Sequence, residues 1–167
     1  MNPRTYTICA IALALAVSGC GTTGDGSTAM NETTITQDQA ATKVQEHIDA
    51  ALTALPEEAE LETRRGTLFA ACDDPTDGGS RDRVTVSETF WIRGLPVEDN
   101  EANIELMHEY WTGNGYRVMR DERPDSLSVT VEHEEDSFRV GVRTSDEGSL
   151  SISASSPCVW PEGTPSR

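Results

Sequence analysis

The stretch "YRVMRDERPDSLSVTVEHEEDSFRVGVRTSDEGSLSISAS", Tyr116 to Ser155, decides the fold. It breaks into four runs: Tyr116 to Arg120, Leu127/Val129/Val131, Phe138/Val140/Val142, and Leu150/Ile152/Ala154 alternating with Ser149, Ser151, Ser153 and Ser155. Apolar and polar residues alternate with a period of two, which puts one side of each run against a core and the other in water. The acidic, Pro- and Gly-containing links "DERPD", "EHEED" and "SDEG" are turn chemistry. They are too short for crossovers, so the runs are expected to pair as an antiparallel meander.

Upstream, "VTVSETFWIRG" alternates Val84, Val86, Phe90 and Ile92 against Thr85, Ser87, Thr89 and Arg93, a half-buried strand with Glu88 as the odd residue. Between it and the meander, "EDNEANIELMHEYWTGNGY" places Ile104, Met107 and Trp111 on one helical face. Acids at its start and Gly113 or Gly115 at its end predict a helix from about residue 100 to 112. Further upstream, Thr36 with Gln39 forms a capping-box pattern, and Ala41, Val44, Ile48, Ala51, Leu52 and Leu55 make an apolar stripe closed by Pro56. The intervening "EEAELETRRGTLFAACDDPTDGGSRD" has no long period; Leu68, Phe69 and Cys72 suggest a short packed strand, and "DDPTDGG" a loop.

An order of helix, strand, helix and four strands, each strand with one apolar face, fits an antiparallel sheet covered on one side. The expected fold is a two-layer α+β sandwich with a four- to five-stranded antiparallel sheet and helices on one face. It forms a single domain over residues 36–160, followed by a disordered tail at 161–167.

The amino end has a different grammar. "MNPRTYT" carries one positive charge, and "ICAIALALAV", Ile8 to Val17, is too short to span a bilayer but suits the core of a secretory signal. Small residues follow, and then Cys20. The segment "VSGC", Val17 to Cys20, resembles the lipobox of bacterial lipoproteins, which implies cleavage after residue 19 and a diacylglyceryl group on the Cys20 sulfur. Two acyl chains anchor stably where one does not. "GTTGDGSTAMNETT" then reads as a flexible tether, residues 20–35 in all.

Without residues 1–19 the chain has 12 basic and 29 acidic residues, a formal charge of −17. That charge argues against nucleic acid and against a bare anionic lipid surface as partners. Leu, Ile, Val and Phe contribute 26 of the 148 mature residues, a composition that borders on disorder. The clean periodicity between Val84 and Ile152 nevertheless indicates a folded core. With Cys9 in the leader and Cys20 taken by lipid, Cys72 and Cys158 remain; in an exported protein they most simply form one disulfide. Two free thiols or a metal pair is the alternative, though no histidine or second cysteine sits at ligand spacing from either. Trp160 is expected to pack near this bridge.

Taken together, the lipobox, the "GTLFAACDD" cysteine segment, the "EYWTGNGYRV" helix exit and the "GSLSISASSPC" ending resemble small lipoproteins of high-GC Gram-positive bacteria, the mycobacterial LppA-like group. The resemblance implies a surface lipoprotein with a paired cysteine and transfers no catalytic residue.

Signals for chemistry are sparse. "HEYWT" from His108 and "HEEDS" from His133 start like H-E-x-x-H, but Thr112 and Ser137 stand where the second histidine belongs. His133 reads as part of a solvated acidic turn, and His47 and His108 as helix-surface residues. Asp73, Asp74, Asp77 and Asp82 offer oxygen ligands without the spacing of a calcium loop. There is no G-x-S-x-G, no Ser-x-x-Lys dyad at Lys43, and no phosphate loop between a strand and a helix. No enzyme activity, metal or cofactor is expected.

Alternation gathers Trp91, Arg93, Arg117, Arg139 and Arg143 on the polar side of the sheet, a candidate binding face for a partner or an anionic sugar polymer. Cross-strand pairing of these arginines with Glu88, Glu132 and other acids is the plainer account. The expected function is a non-catalytic interaction or accessory lipoprotein. It would sit on the outer face of the cytoplasmic membrane, anchored through Cys20, and present its domain to another envelope protein. A small-ligand or lipid carrier is the alternative.

Overall fold

The computed structural model describes residues 33–72 and 80–165. The signal segment, Cys20, most of the tether, and the loop carrying Asp73, Asp74 and Asp77 lie outside the described residues. The fold is α+β, with two helices on one six-stranded antiparallel sheet.

Helix α1, Gln37–Leu52, starts on the expected capping box: Gln39 N–H donates to the Thr36 hydroxyl, and Thr36 N–H to the Gln39 side-chain carbonyl. Its buried stripe is Ala40, Val44, Ile48 and Ala51, with Ala41 and Leu52 at the margin. Another orphan donor of its first turn, Gln37 N–H, bonds to the Pro161 carbonyl at 3.1 Å. Thr34 N–H likewise bonds to the Gly163 carbonyl at 2.9 Å, and Trp160 N–H to the Thr34 hydroxyl at 2.8 Å. These bonds tie Thr34 and Gln37 to the segment from Trp160 to Gly163.

Strand β1, Glu60–Ala71, is the largest departure from the expected elements. It pairs with β2, Val84–Arg93, but register shifts between Thr63 and Arg65 and between Arg65 and Leu68 interrupt the alternation. Those irregularities, on an edge strand that is largely exposed, erase the period-two signal and explain why only Leu68 to Cys72 suggested a strand. Helix α2 spans Asn100–Gly113 and leaves through Gly115 at φ +80°. The meander follows as β3, Tyr116–Asp121; β4, Ser128–His133; β5, Arg139–Thr144; and β6, Leu150–Ser155. The order across the sheet is β1-β2-β6-β5-β4-β3, so β6 closes the meander against β2 and the sheet has six strands, not four or five.

Helix α1 packs on β2 and β6, and α2 on β3, β4 and β5. Between helices and sheet lie Ile48, Ile104, Met107, Trp111, Phe138 and Ile152, with the valines of β4 and β5. Cys72 and Cys158 are bonded across 86 residues, with Cα atoms 5.8 Å apart. The bridge ties the end of β1 to the segment after β6, next to the Val84–Val159 pairing. Trp160 is buried in the same region, under the Arg83 guanidinium.

Candidate functional site

Because α1 and α2 take the apolar side, no helix among the described residues covers the polar side of the sheet. Cross-strand register sets its side chains in three rows. Trp91, Ser151, Arg143 and Ser128 form one; Thr89, Ser153, Gly141, Thr130 and Arg120 form the middle one; Ser87, Ser155, Arg139, Glu132 and Arg117 form the third. Trp91, Arg93, Arg117, Arg139 and Arg143 thus share one face, and α1 does not cover it.

Within that face the residues divide. Glu132 accepts from Arg117 at 2.6 Å and from Arg139 at 2.8 Å, so two of the arginines hold a single, nearly buried carboxylate. The Arg117 hydrogen bond, followed by that of Arg139, lowers the Glu132 pKa. Arg93 forks onto Glu62 at 2.9 and 3.3 Å. These are the cross-strand ion pairs of an ordinary sheet surface. Glu88 is not among them: it shares the parity of Val86 and Phe90 and accepts from the Thr67 hydroxyl. Trp91 is flanked by two cations, with Arg64 4.2 Å and Arg93 5.1 Å from the ring centroid.

Arg143 is different. Among the described residues no carboxylate lies within ion-pair distance of it. It borders a trough of about 350 Å³, walled by Arg64, Arg120 and Arg143 and by the hydroxyls of Thr89, Ser128, Thr130, Ser151 and Ser153, with Glu122 at one end. Gly141 leaves the middle of the trough open; a Cβ there would come 3.2 Å from the Thr130 hydroxyl. Alternation found only one of the three arginines. Arg120 reaches this face because Met119 is an extra residue between the Val118–Val131 and Arg120–Thr130 pairs, which reverses parity. Arg64 lies at an irregularity of β1. A bulge is not written in composition, so neither residue had a sequence signal.

Arg64, Arg93, Arg117, Arg120, Arg139 and Arg143, with Arg65 opposite Thr89, meet Glu60, Glu62, Glu122 and Glu132 on a face of a chain whose formal charge is −16 overall. Arg120 is paired with Glu122 at 2.7 Å, which leaves Arg64, stacked on Trp91, and Arg143 as the trough guanidiniums without a carboxylate among the described residues; with the hydroxyls beside them they suit carboxylate, sulfate or phosphate oxygens.

A second cluster corrects the reading of the histidines. His47 is not a helix-surface residue: its side chain is 10% exposed, stacked on Phe138 at 5.0 Å and 3.3 Å through Nε2 from Asp136. Nor is His133 simply solvated, since its Nδ1 lies 2.8 Å from Asp136. Lys43 donates to the same carboxylate at 2.9 Å, and the Tyr116 hydroxyl lies 2.6 Å from His47 Nδ1. Burial lowers the His47 pKa and pushes the Tyr116 phenol up to about 12. The Asp136 carboxyl sits at about 2: its burial acts to raise it, and the hydrogen bonds from Lys43 and His133 outweigh that. His108 stays on the helix, 3.7 Å from Glu105.

Compared with family models, with curated proteins and with solved structures, the chain matches none. No helix among the described residues is long and apolar enough to cross a membrane.

Proposed function

We propose that this chain is an extracytoplasmic lipoprotein, held on the outer face of the cytoplasmic membrane by lipid on Cys20. Its α+β domain is a non-catalytic module that docks an acidic envelope protein on the open sheet face. The observation that carries the docking reading is the trough: Arg64, Arg143, the Arg120–Glu122 pair and five hydroxyl side chains line one sheet face that no helix among the described residues covers, in a protein that is otherwise strongly acidic. Charge complementarity of this kind selects partners and speeds encounter. The address rests on the short apolar run and the "VSGC" segment, and it agrees with a bonded cysteine pair, which persists in oxidising compartments.

The carrier reading takes a narrower form. A trough of about 350 Å³ is at the small end of ligand sites, and its polar lining suits a small anion better than an acyl chain.

The test is co-purification from detergent-solubilised host membranes, comparing the native chain with an Arg64→Glu/Arg143→Glu variant. The reading predicts that the native chain retains one acidic envelope protein and that the variant loses it while melting normally. Equal recovery by both contradicts docking at this face. Recovery of a small anion in place of a protein, again lost in the variant, selects the carrier.

A further inference from the structure

We infer that His47, His133 and Asp136 form a binding site for one zinc-class divalent cation, placed where α1 meets the β4–β5 turn. The three side chains offer two imidazole nitrogens and a carboxylate oxygen, and these donor atoms all lie within 4.8 Å of one another. Zinc at its usual bond lengths in a tetrahedral site holds its donors about 3.3 Å apart. Asp136 already stands 2.8 Å from His133 Nδ1 and 3.3 Å from His47 Nε2, so only small side-chain rotations separate the cluster from that geometry.

The scaffold holds each group from a different element. His47 comes from α1, braced by the Phe138 ring. His133 ends β4, where its backbone N–H donates to the Phe138 carbonyl at 2.8 Å. Asp136 belongs to the tight turn between β4 and β5, which places Ser137 in the left-handed region at φ +61°. A non-glycine residue there marks a turn held by its surroundings. Its hold includes Ser137 N–H donating to the His133 carbonyl at 2.9 Å.

Two further features separate this cluster from an ordinary buried ion pair. Tyr116 sits 2.6 Å from His47 Nδ1: without metal, Nε2–H donates to Asp136 and Nδ1 accepts from the Tyr116 hydroxyl, and a cation on Nε2 would shift the ring proton to Nδ1, which would then donate to the Tyr116 oxygen. That is the outer-partner arrangement that fixes metal-binding histidines. The Asp136 carboxylate also already holds a cation, the Lys43 ammonium, whose side chain is 40% exposed and free to swing outward. Two imidazoles and one carboxylate favour zinc-class ions over calcium or magnesium. Three protein ligands leave a fourth position for water or an exogenous group.

The experiment is calorimetric titration of chelator-stripped full chain with Zn²⁺ at neutral pH and physiological salt. The site predicts one Zn²⁺ per chain. His133→Gln should weaken binding by at least about 100-fold, beyond what loss of an outer partner costs, and Tyr116→Phe by about 10- to 100-fold. Lys43→Gln should tighten binding several-fold by removing the competing ammonium, an effect that an acidic surface binding zinc loosely would not give. Absence of stoichiometric binding to the native chain overturns the site, as does equal binding by a folded His133→Gln variant. Should that variant unfold, Lys43→Gln decides: unchanged affinity overturns the site.

Discussion

At the scale of single residues, the fold leans on a few positions with no tolerance. Gly94 turns the chain after β2 at φ +82°, and a Cβ there would come within van der Waals overlap of the Glu58 carbonyl oxygen. Gly94→Ala is expected to cost more than about 1 kcal/mol, read as a lower urea midpoint with an unchanged slope. Asp121 shows how charge is used at the other edge of the sheet. Hydrogen bonding from Arg123 holds its carboxyl at about 2, and Arg123 also reaches Glu105. A carboxyl whose folded pKa is below its unfolded value stabilises the fold above that unfolded value, near 3.8, and the contribution disappears as pH falls from about 4 to about 2. Asp121→Asn should therefore remove about 1 kcal/mol at neutral pH, after discounting for solvent screening, and flatten this part of the acid-unfolding curve. An unchanged acid limb would show that the pair is idle. The histidine cluster lies at this scale too: 86 residues separate His47 from His133, and the H-E-x-x-H template looks for the second ligand one helical turn away. No local pattern could have joined them.

At the scale of elements, legibility followed regularity. Meander strands β4, β5 and β6, with β2 and both helices, kept an unbroken period, and their spans could be read from it. β1 could not be, because two irregularities in an exposed edge strand scramble which side chain faces which way. The same physics hid Arg120 behind the bulge at Met119, so alternation gathered Arg143 on the face that bears the trough but neither Arg120 nor Arg64. The bridge between β1 and the segment after β6 was legible from cysteine number and compartment alone. It closes a loop with a separation of 86 residues, for which chain entropy gives about 4.5 kcal/mol as an upper figure. Cys72→Ser with Cys158→Ser should therefore lower unfolding free energy by about 2–4 kcal/mol and make the melting temperature insensitive to reductant. A melting temperature unchanged from the native chain would contradict the structural role of the bridge. In β5, Gly141→Val fills the trough centre on a strand that tolerates β-branched residues. Stability should stay within about 1 kcal/mol while partner recovery falls; full recovery would mean that the partner does not enter the trough.

At the scale of the whole molecule, the architecture is asymmetric. One side of the sheet packs a core under α1 and α2, and no helix among the described residues covers the other, on which Arg64, Arg120 and Arg143 line the trough. The packed strap from Pro161 to Gly163 meets the chain at Thr34 to Gln37, so the first described residues lie beside the last ones. A tether from Cys20 would join the domain there. The central claim is that the uncovered face is where the domain meets its partner. Photo-crosslinking in host cells tests it most directly, with the reactive side chain placed at Ser153 in the trough and, in a parallel chain, at Leu106 on the exposed side of α2. The account predicts a discrete covalent adduct with one envelope protein from residue 153 and none from residue 106. Adducts of equal yield from both positions, or from residue 106 alone, would contradict it.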